Sequence, residues 1–187
     1  MRILHSLLAI AACSLVVDQS AGAETAAGAP FVPTPTAIVD RMLTLAKVGP
    51  DDYLIDLGSG DGRLVITAIV KYKARGGMGV DIDRDLVKLA TTNAEKAGVG
   101  AQATFVAGDL FAADVQKATI VTLYLVPGMM AGVEAKLRKE LKPGTRVVSH
   151  DYPLPTWKPV EVETFDNPEK IRISGTTHTV LLLYRVP

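Results

Sequence analysis

The chain has 187 residues, 48% of them hydrophobic and 21% charged, with 20 basic and 20 acidic side chains. That length holds one domain with a real core, and that composition excludes a disordered protein. A formal net charge of zero offers no electrostatic attraction to a polyanion, so no nucleic-acid partner is expected.

The first residues differ in kind from the rest. Arg2 is followed by a mostly apolar stretch from Ile3 to Val17, and small residues then lead to Ala21-Gly22-Ala23 ahead of Glu24. This is the pattern of a secretory signal peptide with an A-x-A-type cleavage site. Residues 1–23 are therefore expected to be a signal peptide or an uncleaved membrane anchor, with the protein exported to the periplasm or held at the membrane by this segment. As an anchor the run is short for a full span. Ile10-Ala11-Ala12-Cys13 also resembles a lipoprotein box, although the apolar run continues past Cys13. Cleavage would remove Arg2 and Asp18 together, leaving the balance neutral, and would remove the single cysteine. A mature chain without a thiol suits an oxidising compartment.

Residues 24–35, rich in Ala, Gly, Pro and Thr, read as a linker, and 36–187 as the folded domain. The linker ends in Pro30-Phe31-Val32-Pro33-Thr34-Pro35-Thr36. Thr36 is a candidate N-cap for a helix carrying Ile38, Met42 and Leu45 on one face, stopped by Gly49-Pro50.

Tyr53 to Arg63 then reads Y-L-I-D-L-G-S-G-D-G-R. An apolar strand ends in Asp56, glycines stand at 58, 60 and 62, and a helical pattern begins at Leu64, running to about Ala74. Glycines at a sharp strand-to-helix turn let backbone approach a ligand closely. The dinucleotide fingerprint is G-x-G-x-x-G, but here the third glycine comes one residue early and Arg63 stands where that pattern needs Gly. An acid closing the strand would repel a pyrophosphate. D-x-G-x-G-x-G suits a ligand with a positive group near the turn, as in S-adenosylmethionine. Its ammonium can meet Asp56 while its adenosine lies along Gly58, Ser59 and Gly60.

Arg75-Gly76-Gly77 reads as a turn and Met78 to Asp83 as the second strand. Asp81 lies 23 positions after Gly58, where an acid at a strand end binds ribose hydroxyls, and Ile82 would pack on adenine. Asp83 is positioned to cap a helix ended by Gly98. Ala103 to Val106 is a third strand, followed by Asp109, which can accept from an adenine amino group, and by Leu110 and Phe111 against the ring. Thr119 to Val126 is a continuous apolar run, as in a strand buried on both faces of a parallel sheet. It brings Tyr124 to the carboxyl end of the sheet, where ligands bind. A helix from about Met129 to Leu141 and a strand from Thr145 to His150 follow. Asp151 to Pro159 (D-Y-P-L-P-T-W-K-P) lies where a substrate loop would, with no helix expected before the closing strands. Val160 to Phe165, Ile171 to Ser174 and Thr179 to Val186 read as strands, the last two or all three antiparallel. The fold class is thus α/β, Rossmann-like and doubly wound, with a mostly parallel sheet and an antiparallel C-terminal strand pair.

The sequence has no H-E-x-x-H, C-x-x-C, G-x-S-x-G or P-loop, and only His150 and His178 remain after cleavage, so no metal site is expected. Methyl transfer needs little more than a nucleophile held in line with the departing sulfur. For a lysine it also needs the uncharged amine, which a water-poor site beside a cation favours. Tyr124, Tyr152 and Trp157 are candidates to line such a channel, with Asp151 or His150 to relay the proton.

D-L-G-S-G-D-G-R, with V-P-T-P before the first helix, Y-L-V-P after the fourth strand and R-V-V-S-H-D-Y-P-L-P-T-W-K-P at the fifth, resembles one group. It is similar to the class I, seven-strand methyltransferases related to the mitochondrial lysine methyltransferases of ATP synthase subunit c and adenine nucleotide translocase, over roughly Pro30 to Pro159. The resemblance implies S-adenosylmethionine as cofactor, held by Asp56, Gly58, Gly60, Asp81 and Asp109. It implies that Val32 to Pro35, with Thr34, lines the cofactor site, and that the acceptor is a lysine of a protein that can be membrane-embedded. The second strand ends Val80-Asp81-Ile82-Asp83, whereas the relatives usually carry Glu and Asn there, the acid being kept, and the leader departs from their organelle sequence. A small-molecule or lipid methyltransferase and a non-catalytic cofactor-binding module stay open beside the protein-lysine enzyme.

Overall fold

The computed structural model describes residues 31–187; the expected leader over 1–23 and most of the expected linker over 24–35 lie outside the described residues. Helix α1 (Thr36–Leu45) leads into strand β1 (Tyr53–Leu57), and then α2 (Arg63–Val70), β2 (Gly76–Asp81), α3 (Arg84–Lys96), β3 (Ala103–Ala107) and β4 (Ile120–Leu123). A 3-10 turn over Pro127–Met129 opens α4 (Met130–Glu140), followed by β5 (Arg146–His150) and β6 (Glu161–Asp166). A second 3-10 turn, Pro168–Lys170, opens the short α5 (Ile171–Ser174), and β7 (His178–Arg185) closes the chain.

The seven strands form one sheet in the order β3-β2-β1-β4-β5-β7-β6. The pairs from β3 to β5 are parallel, and β7 runs antiparallel to both β5 and β6. This is the doubly wound fold with a reversed C-terminal strand that the sequence predicts. Alternate residues of the central strands go to opposite faces, as the two-residue period of a strand requires. Leu54, Ile120, Val148, Leu181 and Leu183 pack with α1, α2 and Ala94 of α3. Ile55, Val121, Val147, Leu182 and Tyr184 pack with Val133 and Leu137 of α4 on the other face. Both faces are therefore dry, which is why these strands read as unbroken apolar runs.

The structure departs from the sequence reading at several places, among them the end of α2, at Val70 and not near Ala74. Gly76 and Gly77 belong to β2 instead of a turn: a Cβ at Gly77 would stand 2.7 Å from the Leu54 carbonyl oxygen, and one at Gly76 would stand 2.9 Å from that of Gln102. The glycines are there because neighbouring backbone leaves no room. Thr36 is the first helical residue and Pro35 the capping position, with no side-chain cap; the helix ends at Leu45, before the expected stop at Gly49-Pro50. Ile171–Ser174 is a helical turn, not a strand, because the Asn167 side chain accepts from the Glu169 amide and Pro168 starts a 3-10 turn ahead of it. Gly175 ends it in the left-handed region. Last, β4 stops at Leu123, so Tyr124, Leu125 and Val126 leave the sheet at its carboxyl edge. The Asp151 to Pro159 segment carries no helix, as expected.

Candidate active site

A cavity of about 290 Å³ opens over the carboxyl ends of the parallel strands, at the low end of the range for small-molecule sites. The sheet order spreads its wall into two halves. The loops after β3, β2 and β1 supply Asp109, Leu110, Ile82, Gly58 and Ser59, Asp81 stands at the last position of β2, and Asp56 reaches it from within β1. Tyr124, Leu125 and Val126 after β4, Tyr152 after β5 and Met129 ahead of α4 supply the other half. Phe31, Val32 and Thr34 cross over it from the N-terminal side.

The acid-and-glycine half is built by the first turn. Gly58, Gly60 and Gly62 have φ of 83°, 52° and 82°, a region that side chains resist. The Gly58 and Ser59 amides donate to the Val80 carbonyl at 2.8 and 3.0 Å, tying the loop to β2. Asp81 completes the tie: one carboxylate oxygen accepts from the Gly60 amide at 2.7 Å and the other from the Asp83 amide at 3.0 Å. Each oxygen keeps a second acceptor site, free for a pair of ribose hydroxyls. Asp83 caps α3 by accepting from the amides of Asp85 and Leu86, as its position predicts. Ile82, 48% exposed, and the buried Leu110 offer apolar surface for a flat ring. Asp109 lines the same end, one of its oxygens taken by the Phe111 amide.

Asp56 is 2% exposed and accepts from the Thr122 hydroxyl at 2.7 Å. Burial pushes its carboxyl up to about 7; the Thr122 hydrogen bond opposes this, while the charges of Asp81 and Asp61 add to it. A carboxyl so placed is a waiting counter-charge: it ionises fully when a cation arrives. Ser59 lines the cavity, while its hydroxyl is buried against Gly79 of β2 without a hydrogen-bond partner among the described residues. A ligand with a cationic end, a ribose and a flat base fits these groups, which is the chemistry of S-adenosylmethionine.

Sequence reasoning missed Arg63 and Asp61 as parts of this site. The Arg63 guanidinium pairs with Asp61 through two nitrogens and donates to the Thr34 carbonyl oxygen at 2.6 Å. It therefore fastens the N-terminal strap to the glycine loop, with the Phe31 ring against Gly60, where a Cβ would stand 2.2 Å from it. The departure of Arg63 from the dinucleotide pattern was the available signal.

In the second half, Tyr124 and Tyr152 share the cavity wall. Burial, with the charges of Asp151 and Tyr152 adding, pushes the Tyr124 phenol up to about 12, so it remains a neutral hydrogen-bonding group. His150 lies buried behind it, the rings stacked at 4.0 Å. Burial pulls this imidazole down to about 4 against the opposing pull of Asp151; it is neutral and does not front the cavity. Asp151 is likewise set back, paired with Lys170. Trp157 belongs elsewhere. It is 8% exposed, stacks on Tyr184 at 6.2 Å with the Arg138 guanidinium on it, and packs with the α4 face of the core. The cause is local: buried Glu134 of α4 accepts from the Thr156 amide at 2.8 Å and from its hydroxyl, drawing the following tryptophan under the sheet. Of the three aromatics expected to line a channel, the structure brings together the two tyrosines. Among the described residues no three His, Cys, Asp or Glu side chains cluster as a metal site would require.

Comparison with known proteins agrees with this geometry. The family model of the ANTKMT methyltransferase domain matches residues 56–161. A protein-lysine N-methyltransferase of Saccharolobus islandicus (strain REY15A) is 43% identical over 153 residues, covering 82% of this chain and 91% of that protein. The adenine nucleotide translocase lysine N-methyltransferase of Mus musculus is 38% identical over 133 residues; the match covers 71% of this chain but 57% of the mouse protein. A crystal structure described as an RNA methyltransferase from Salinibacter ruber in complex with S-adenosyl-L-homocysteine is 46% identical, with a TM-score of 0.74, over 83% of this chain and 94% of that one. The chain belongs to the ANTKMT methyltransferase-domain family and is a class I, S-adenosylmethionine-dependent methyltransferase.

Proposed function

We propose that this methyltransferase acts on lysine side chains of protein. The observation that carries this reading is the division of the cavity: acids and glycines at the ends of β1 to β3, two tyrosines and aliphatic side chains at the ends of β4 and β5. Asp56, Asp81, Ser59 and Asp109 would hold the cofactor, which supplies an activated methyl group. The second half receives a long aliphatic stem ending in an amine. Tyr124 and Tyr152, with Leu125, Val126 and Met129, exclude water from that amine and favour its uncharged form. The neutral Tyr124 hydroxyl can accept from the amine and orient its lone pair. The tyrosine walls would orient the amine toward the methyl group, in line with the departing sulfur, where orientation lowers the barrier most.

The description of the Salinibacter ruber protein as an RNA methyltransferase favours an RNA acceptor as a second reading. Against it stands the acceptor half itself, where Tyr124, Leu125, Val126, Met129 and Tyr152 bring no cation to the cavity wall. An RNA site presents basic side chains. The test is tritiated S-adenosylmethionine incubated with soluble and membrane fractions of a strain lacking the enzyme. Label removed by protease and recovered as methyl-lysine is expected; label removed by ribonuclease would overturn the lysine reading.

Two finer statements belong to the same proposal. The acceptor is membrane-embedded, and residues 1–23 deliver the domain to or through the membrane, as their apolar run and Ala21-Gly22-Ala23 suggest. Among the described residues no helix is long and apolar enough to cross a membrane. The intact mass of the protein from its own cells decides the second statement: a start at Glu24 means export, a start at Met1 in the membrane fraction means an anchor, and a start at Met1 in the soluble fraction overturns both.

A further inference from the structure

Lys170 is 1% exposed, yet it contributes nothing to the cavity wall. It sits where the 3-10 turn Pro168–Lys170 passes into α5, in a part of the chain the reaction does not use. Its ammonium lies 2.7 and 2.6 Å from the two carboxylate oxygens of Asp151 and also donates to the His178 carbonyl oxygen at the start of β7. A lysine this deeply buried is kept for its partner.

The partner occupies a strained place. Asp151 has a φ of 64°, the left-handed region that a side chain resists. Its amide donates to the Val180 carbonyl oxygen at 2.7 Å, and one carboxylate oxygen accepts from the Val180 amide at 3.2 Å. The reversal at Asp151 carries the next residue back: the Tyr152 amide donates to the His150 carbonyl oxygen at 2.9 Å, and the Tyr152 carbonyl oxygen accepts from the Ser149 hydroxyl at 2.5 Å. That turn presents the Tyr152 ring to the cavity beside Tyr124. The same carboxylate stands 3.6 Å from Nε2 of His150, the ring on which Tyr124 is stacked. One ion pair thus stands behind both tyrosines.

We propose that Lys170 is a positioning residue for the acceptor half of the site: its buried ammonium holds Asp151 in the left-handed turn and thereby sets Tyr152 against Tyr124. The catalytic part of this inference rests on the methyltransferase reading of the cavity; the positional part does not. Lys170 reaches no residue of the cofactor half, so its loss reads out on the acceptor alone.

The test uses the full chain labelled with 3-fluorotyrosine, which reports on five tyrosines, the Tyr152 signal being assigned with Tyr152→Phe. Lys170→Met is expected to shift or broaden the Tyr152 and Tyr124 signals and leave those of Tyr53 and Tyr72 in place. Should that variant not fold, Asp151→Asn with Lys170→Met leaves no unpaired buried charge and serves the same purpose. Calorimetry with S-adenosylhomocysteine is expected to give an affinity within twofold of wild type. Methyl transfer from tritiated cofactor to protein of a strain lacking the enzyme is expected to fall at least tenfold in kcat/KM. Tyr152→Ala is expected to show the same loss, and adding Lys170→Met to it no further loss. An unmoved Tyr152 signal in a folded variant, or losses that multiply, would overturn the proposal. Absence of transfer by the wild type would instead strike the lysine reading, and the fluorine signals would still decide the role of Lys170.

Discussion

Asp56 links the chemistry of single residues to the behaviour of the site. Its carboxyl titrates near 7 because it is buried, with Asp81 and Asp61 close by. A cation is bound best by the ionised form. Cofactor affinity is therefore expected to be roughly tenfold weaker at pH 6 than at pH 8, with proton release on binding below pH 7. Calorimetry in buffers of different ionisation heat checks this, and Asp56→Asn should bind weakly at both pH values. In the free protein the raised pKa has the opposite consequence: the stability it contributes is complete below the unfolded value of 3.8 and gone above about 7. His150 acts the other way. Its lowered pKa means that stability is present above 6.5 and lost as pH falls through about 4, by up to about 3 kcal/mol. His150→Phe, which keeps a ring under Tyr124 without a titrating group, should flatten the fall in denaturation midpoint between pH 6.5 and 4.

Among the elements, the segment between β5 and β6 does two jobs at its two ends. The first end, turned at Asp151, carries Tyr152 to the cavity; the second, at Thr156 and Trp157, is a structural plug held by Glu134 and Arg138 of α4. Trp157→Ala should therefore lower stability by about 3–5 kcal/mol, the cost of emptying a buried indole site. S-adenosylhomocysteine affinity should stay within twofold. Thermal melting with and without that ligand separates the two effects, since the ligand-induced rise should be retained. A tryptophan in a proline-rich loop looks the same in sequence whether it faces a ligand or a helix. Only the carboxylate about one turn into α4 determines which, and the sequence separates Glu134 from Thr156 by 22 residues.

At the scale of the molecule, charge follows topology. The order β3-β2-β1-β4-β5 puts the acids of three strand ends on one side of the cavity and the tyrosines of the other two opposite. An acceptor bound through a neutral aromatic wall should feel salt little. Raising salt from 50 to 200 mM is expected to change kcat/KM for protein by less than about twofold, whereas binding through six to ten phosphates would weaken by about a thousandfold or more. Steady-state transfer at several salt concentrations distinguishes them.

The sequence by itself determined the strand-to-helix turn at Asp56 to Gly62, the acids at strand ends and the alternation of buried runs with helical patterns. These signals are local, because a backbone turn with positive φ and a strand buried on both faces each constrain the residues that form them. It also pointed to Asp81, Ile82 and Asp109 beside the glycine turn, because each stands at the end of its own strand or just beyond it, where the cavity opens. Tertiary structure decided what depends on residues distant in sequence. The crowding of β2 by Leu54 and Gln102 made strand out of Gly76-Gly77. The exit of the chain from β4 turned Tyr124 to Val126 into cavity wall. The buried pair of Lys170 and Asp151 joins positions 19 residues apart. Burial and pairing of this kind are properties of the packed sheet, and no spacing within one segment records them.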